Sequence, residues 1–243
     1  FDGPLSVEWI KAQAGLQQQI LEREREFGMK PVLGAFAGHV PEQIAQGKPH
    51  YSCNWNESDK YKTYFIYPSE PLFAEIQKSY LNKQEQLFGT DHIYAADLFN
   101  EMAPPSWEAD SLAAISSKMY ESLISADPRA EWVQMGWMFL NRQDMWTGER
   151  IHAYLNACPA GKVKVLDYRG ECNEAWDRTE GFYGNPFIWC YLGNFGGNHN
   201  IEGSPWEIQS RISRVLSETD NCTGVGCVPE GLDVNQEIYE YVF

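Results

Sequence analysis

Two hydrophobic periods alternate along this chain. After Ser6, the residues Trp9, Leu16, Ile20 and Phe27 recur at separations of 7, 4 and 7, which places them on one face of a helix. Ser6 can cap that helix, Leu5 and Ile10 can staple its entry, and Gly28 can end it. The Glu-Arg-Glu-Arg-Glu run at 22–26 is then its solvated face. A short apolar run at 31–36 predicts a strand, and a loop rich in Tyr, Asn and Pro over about 38–68 leads to a helix over 69–88. Further apolar runs at 93–96, 132–135, 163–166, 186–191 and 223–228 predict strands, with helical patterns at about 107–126 and 147–157. Ser204-Pro205-Trp206-Glu207 opens another helix, with Ser at the N-cap, Pro at N1 and Glu at N3 of a capping box. A last helical pattern runs to Phe243.

Strands that alternate with helices at this spacing are parallel and joined by right-handed crossovers. The count is six, against the eight of a closed (β/α)₈ TIM-type barrel. Two arrangements remain open: a six-stranded open sheet, or a barrel that is incomplete here, with about six βα units and its opening strands missing. No repeat, low-complexity tract or linker divides residues 1–243, so they read as a single domain.

Composition narrows the partners. The chain has 43% hydrophobic residues and 14% aromatic ones, and its 34 acidic and 19 basic residues leave a net charge of −15. That charge repels phosphate backbones and acidic lipid, which argues against nucleic acid and membranes as partners. No apolar run approaches the roughly 20 residues of a membrane span. The six cysteines form no C-x-x-C pair, and no histidines have zinc-site spacing, so no metal or other cofactor is expected. Sequons at Asn56 and Asn221, with the even cysteine count, point to glycosylation and a secretory route.

In parallel α/β folds the reacting groups gather after the C-terminal ends of strands. There the chain offers Phe36 to His39, Asp97 to Glu101, Gly136-Trp137, Asp167-Tyr168, Gly193 to His199 and Pro229-Glu230-Gly231. Glu101 and Glu230 stand out as carboxylates in otherwise apolar or glycine-rich strand ends. Glycosidic cleavage needs such a pair, one acid for the leaving oxygen and one ionised group for the anomeric carbon. Trp137, Trp189, Tyr191 and Phe195 could stack on sugar rings. Each also has a plain structural reading: strand-end glutamates cap helices or face solvent, and Trp137 and Trp189 serve as core aromatics. The residues alone leave these alternatives open.

Several strings go further. Phe36-Ala37-Gly38-His39-Val40-Pro41, Phe88 to Tyr94, Phe99-Asn100-Glu101-Met102, Pro186 to Cys190, Asn194 to His199 and Pro229-Glu230-Gly231 resemble glycoside hydrolase family 89, the α-N-acetylglucosaminidases, in order and with matching gaps. The resemblance implies most of a (β/α)₈-type catalytic barrel, without the family's N-terminal α/β domain or its C-terminal helical domain. It implies a retaining exo-glycosidase acting on terminal non-reducing α-linked N-acetylglucosamine, as in heparan sulfate degradation. Glu101 then matches the acid/base, Glu230 the nucleophile, and Asn100 the residue beside the acid that bonds the 2-substituent. Trp137, Tyr191, Asn194, Phe195 and His199 are the other expected substrate contacts. The implied partner is a glycan and the implied compartment lysosomal or secreted, with self-association left open. A non-catalytic carbohydrate-binding barrel, or an inactive fragment of the enzyme, is the alternative.

Overall fold

The computed structural model of the chain describes residues 4–54, 62–199, 204–231 and 234–243. Helix α1 (Val7–Glu26) leads into β1 (Leu33–Gly34), after which come β2 (His39–Val40), α2 (Glu42–Ala45), β3 (His50–Asn54) and β4 (Lys62–Ile66). Next are α3 (Pro71–Phe88), β5 (Ile93–Ala95), α4 (Ala109–Ala126), β6 (Glu131–Met135), the short α5 (Trp137–Asn141), α6 (Gly148–Asn156) and β7 (Val163–Asp167). The chain continues through α7 (Ala175–Arg178), α8 (Glu180–Tyr183), β8 (Phe187–Tyr191), the hairpin of β9 (Asn194–Phe195) and β10 (Asn198–His199), α9 (Pro205–Glu218), β11 (Cys222–Cys227) and α10 (Gln236–Val242).

The main sheet has six strands in the order β1-β5-β6-β7-β8-β11, every neighbouring pair parallel. That order never reverses. A doubly wound open sheet reverses at a switch point between its halves, whereas a barrel adds each strand to the last. Right-handed crossovers that always advance in one direction put every helix on the same face. The arc is therefore that of a (β/α) barrel, and this settles the choice that the sequence leaves open.

The barrel strands carry the core. In β7 every second residue is buried (Val163, Val165, Asp167), and Trp132, Phe187 and Trp189 on the neighbouring strands are 0% exposed. Burying each such apolar side chain contributes roughly 2–3 kcal/mol. Under the helices, Phe139, Trp146 and Tyr154 meet edge to face with ring centroids 5.2–6.2 Å apart. The buried Trp132 indole donates to Ala96 O at 2.8 Å, which satisfies its one polar atom. At the N-terminal ends of the strands, His92 Nδ1 and the Tyr94 hydroxyl both donate to Asp127 Oδ2, at 2.6 and 2.8 Å.

Helix ends behave as read. Ser6 Oγ accepts from Trp9 N at 3.1 Å, and Ser204 and Glu207 complete a reciprocal capping box. The predicted stripe on α1 does not pack, however: Trp9 is 46% and Phe27 63% exposed. The helix docks through its opposite side. There Leu21 is buried, Gln18 Nε2 donates to Leu87 O, and Arg25 pairs with Asp91 at 2.7 Å. Also unforeseen is an antiparallel sheet, β2-β4-β3, within the expected loop over 38–68. Both this insert and the β9–β10 hairpin follow C-terminal ends of barrel strands, so they sit on the face where a barrel carries its chemistry.

Two secretory signals change meaning. Asn221 does not present a glycan-accepting amide, because its Nδ2 donates to Gly181 O and Asn185 O, both at 2.6 Å, and so braces the β8–β11 end. Asn56 lies outside the described residues. Cys53, Cys158, Cys190, Cys222 and Cys227 are thiols, so the even count does not translate into a set of disulfides. No helix is long and apolar enough to cross a membrane among the described residues.

Candidate active site

After β5 the chain makes a tight turn. Asp97 Oδ1 accepts from Asn100 N at 3.1 Å and from Gln134 Nε2 at 3.2 Å, and Met102 N donates to Phe99 O at 2.6 Å. Asn100 takes φ 41°, a left-handed conformation that asparagine tolerates better than most residues. The turn delivers Glu101 half-buried, with its Oε1 accepting from Trp137 Nε1 at 3.0 Å. Trp137 is itself half-buried and opens α5 directly after β6, so it is not sealed in the core. Its approach depends on Gly136, where a Cβ would lie 2.5 Å from Leu166 O.

The same turn is held from the β2–β4 insert. His39 Nε2 lies 2.6 Å from Leu98 O, and His39 Nδ1 lies 3.2 Å from Thr63 Oγ1. A carbonyl only accepts, so Nε2 carries the hydrogen and the neutral ring's Nδ1 accepts from the Thr63 hydroxyl. Burial holds this imidazole below its ordinary pKa, against the raising influence of the Leu98 carbonyl. Two buried oxygens beside Glu101, Asp97 Oδ2 and Asn100 Oδ1, have no hydrogen-bond donor. Burial also pushes the Asp97 carboxyl up to about 6, against the bonds from Gln134, Asn100 and Phe99.

The second carboxylate lies beyond β11. Val228 N donates to Tyr191 O at 2.9 Å, prolonging the β8–β11 pairing, and two residues later Glu230 Oε2 accepts from Gly196 N at 2.7 Å. Gly196 and Gly197 form the hairpin tip with φ 57° and 82°, a conformation open to glycine. Gly231 packs against that tip, where a Cβ would come within 2.8 Å of Gly197 Cα. Beneath it, the buried Glu171 accepts from Leu192 N at 3.1 Å and Gly193 N at 2.9 Å, and the Tyr239 hydroxyl donates to Leu192 O. Sequence reasoning missed Glu171. Its signal was an acid set directly after a glycine, Gly170, that packs against Trp189.

Tyr168, at the end of β7, lies between the two carboxylate regions. Its hydroxyl is pushed up to about 12, first by burial and then by the charges of Cys190, Glu230 and Asp97. The neighbouring Asp167 faces inward and caps α7, accepting from Ala175 N at 2.9 Å and Trp176 N at 3.1 Å, and burial pushes it up to about 7.

Other expected contacts turn out differently. Tyr191 is 2% exposed and packs edge to face on Tyr239, so it supports the site from below instead of lining it. Asn194 is 1% exposed, and its Oδ1 accepts from Gly197 N at 3.0 Å, which folds the hairpin. Phe195 is half-buried with the Arg169 guanidinium 5.0 Å above its ring. His199 pairs with Asn194 across the β9–β10 ladder, and its side chain lies outside the described residues. Trp189 is a core aromatic. Beside the Glu101 turn a cavity of about 490 Å³ is lined by Tyr51, Ser52, Asn54, Lys62, Ala103 and Arg142, and Cys53 Sγ touches Met102 Sδ at its edge. Among the described residues, no group of three or more His, Cys, Asp or Glu could hold a metal ion.

A one-directional parallel arc with acids, aromatics and glycine turns at its strand C-termini defines a (β/α)-barrel domain of the kind that carries enzyme sites on that face. The chain belongs to the α-N-acetylglucosaminidase (NAGLU) TIM-barrel domain family, which it matches over residues 1–243. It is 39% identical to human α-N-acetylglucosaminidase over 251 residues, covering 98% of this chain and 33% of that protein. It thus spans about a third of the length of that relative. Two solved structures of a family 89 glycoside hydrolase from Clostridium perfringens superpose on the whole chain while covering 27% of their own. One is in complex with PUGNAc (TM-score 0.84, 24% identity), the other with its substrate GlcNAc-α-1,4-galactose (TM-score 0.83, 22% identity).

Proposed function

We propose that this chain carries the reacting carboxylates of a retaining exo-glycosidase that removes terminal non-reducing α-linked N-acetylglucosamine. One observation supports this above the rest. Glu101 and Glu230 both emerge from C-terminal strand turns of one parallel arc, and each is aimed by a fixed donor, the Trp137 indole or the Gly196 amide. In an α-linkage the 2-acetamido group cannot reach the anomeric carbon from the side opposite the leaving oxygen. A protein nucleophile is needed instead, roughly 5–5.5 Å from the acid.

Glu230 attacks the anomeric carbon and forms a glycosyl-enzyme ester while Glu101 gives its proton to the departing oxygen. Glu101 then takes a proton from water, which attacks the ester and releases the sugar with its original configuration. Asn100, with an acceptor oxygen unspent, faces the 2-substituent, and Trp137 and Phe195 offer apolar surface to the ring. The human relative's name and the C. perfringens protein's substrate agree with this sugar. For heparan sulfate, the cavity beside Glu101 supplies Lys62 and Arg142 toward an acidic neighbouring sugar, a local exception in a chain of charge −15. The two buried aspartates, whose carboxyls are raised by burial, fit an acidic compartment such as the lysosome.

The test is release of N-acetylglucosamine from an aryl α-N-acetylglucosaminide by the full natural protein carrying this chain. Glu101→Gln and Glu230→Gln should each lower kcat by about 10³-fold or more. Binding of the sugar without turnover would leave only the carbohydrate-binding reading.

A further inference from the structure

The strands β2 and β4 lie outside the barrel, yet two of their side chains, His39 and Phe65, reach the turn that carries the proposed acid. We infer that His39 is a positioning residue for Glu101, holding the 97–102 turn through its bond to the Leu98 carbonyl. This rests on the reading of Glu101 as the general acid.

The geometry is constrained from both sides. Nε2 donates to Leu98 O at 2.6 Å, two residues before Asn100 with its strained φ of 41°. The Leu98 carbonyl, which only accepts, sets the tautomer with the hydrogen on Nε2, and Thr63 Oγ1, on the neighbouring β4, supports it by donating to Nδ1 at 3.2 Å. The imidazole lies 5.3 Å from the Phe65 ring, and Phe65 lies 5.3 Å from Phe99, inside the same turn. Gly38 is required for this packing, because a Cβ there would fall 2.5 Å from the Phe65 ring. On the far side Asp97 anchors Asn100 N. The turn is thus clamped at Leu98 by the insert and at Asn100 by the barrel, and Glu101 follows directly. The left-handed turn at Asn100 is fixed in place by the bonds on either side of it, and the His39 bond is one of them. The insert therefore aims the acid as well as covering the sheet.

A general acid matters most when the leaving group is poor, which separates aiming from mere folding. Two substrates serve: a dinitrophenyl α-N-acetylglucosaminide, whose leaving group needs no proton, and an alkyl α-N-acetylglucosaminide, whose leaving group does. In the full natural protein, His39→Ala should lower kcat/KM, which reports the first step, on the alkyl glycoside by about 30- to 100-fold and on the dinitrophenyl glycoside by less than about 5-fold. His39→Gln keeps a donor at the Nε2 position and should recover most of the alkyl activity. Thr63→Val, which removes the hydroxyl that holds Nδ1, should show a weaker version of the same split. Equal losses on both substrates, or a folded His39→Gln no better than His39→Ala, overturn the inference. If the alanine variant does not fold, the Gln and Val variants decide by the same split. Glu101→Ala serves as the reference. If it shows no dependence on the leaving group, the acid assignment fails; if it does and the His39 variants do not, only the positioning role fails.

Discussion

Trp137 and Glu101 share one hydrogen bond, and its loss is measurable without disturbing much else. Trp137→Phe keeps an aromatic ring but removes the Nε1 donor, so kcat should fall by about tenfold with only a modest fall in melting temperature. An unchanged kcat would return the indole to a packing role. The two carboxylates differ in what azide does to their alanine variants. Glu230→Ala should be rescued on an activated substrate to give a glycosyl azide of inverted configuration, whereas Glu101→Ala with azide should give the retained product. Identical products from both variants would dissolve the role assignment. At this scale the sequence singles out Glu101 and Glu230 because an ionisable residue interrupts an apolar or glycine-rich strand end, and each is found bonded within a strand-end turn. It was not legible for Tyr191 and Asn194, which sit in the right string but face inward. Glu171 was hidden as well, and His39 stood at a strand end without a visible role, since their partners are Leu192 and Leu98, apparent only after folding.

Among elements, the barrel strands read well because they are continuous apolar runs, and the helices between them because their starts carry caps. Ser204→Ala should remove about 1 kcal/mol, read as a shift in the denaturant midpoint with the slope unchanged. The β2–β4–β3 insert escaped because its strands are two to five residues long and polar on one side, a pattern that a loop shares. Helix α1 shows the opposite failure. Its apolar stripe is real, but docking uses Gln18, Leu21 and Arg25 on the other side, and periodicity reports a face without saying whether anything covers it. Within the insert, Gly38→Ala forces a side chain into φ 95° and against Phe65. It should cost about 1–3 kcal/mol in chemical unfolding and bring the His39 phenotype with it.

For the molecule as a whole, acidity is the natural variable. Burial lifts Asp97 to about 6 and Asp167 to about 7 from an ordinary 3.8. An acid raised in the folded state stabilises the fold fully below its unfolded pKa and loses that contribution as pH rises through the folded value. Stability should therefore decline from about pH 4 through pH 7, most steeply at about pH 5, where the unfolded carboxyls are ionised and both folded ones are still protonated. His39, with its lowered pKa, opposes this below about 6.5 as its buried ring is forced to charge. The aspartates should prevail, giving a melting temperature on the order of 5 °C higher at pH 5 than at pH 8. Asp167→Asn should flatten that profile, and a profile unaltered by it would mean that the residue does not titrate there.

The order of the strands carries one more consequence. Glu101 follows the second strand of the arc and Glu230 the sixth, so four inter-strand steps separate them. Laid flat, at about 4.8 Å per step, the two turns would stand ~19 Å apart, and neither carboxylate could help the other. Only curvature closes that gap toward the roughly 5–5.5 Å that double displacement requires. The distance between the two proposed reacting groups is thus a gauge of how tightly the whole wall is bent. A bulky substitution under β6 or β7, far from any sugar, would register as a slower reaction before it registered as a weaker fold.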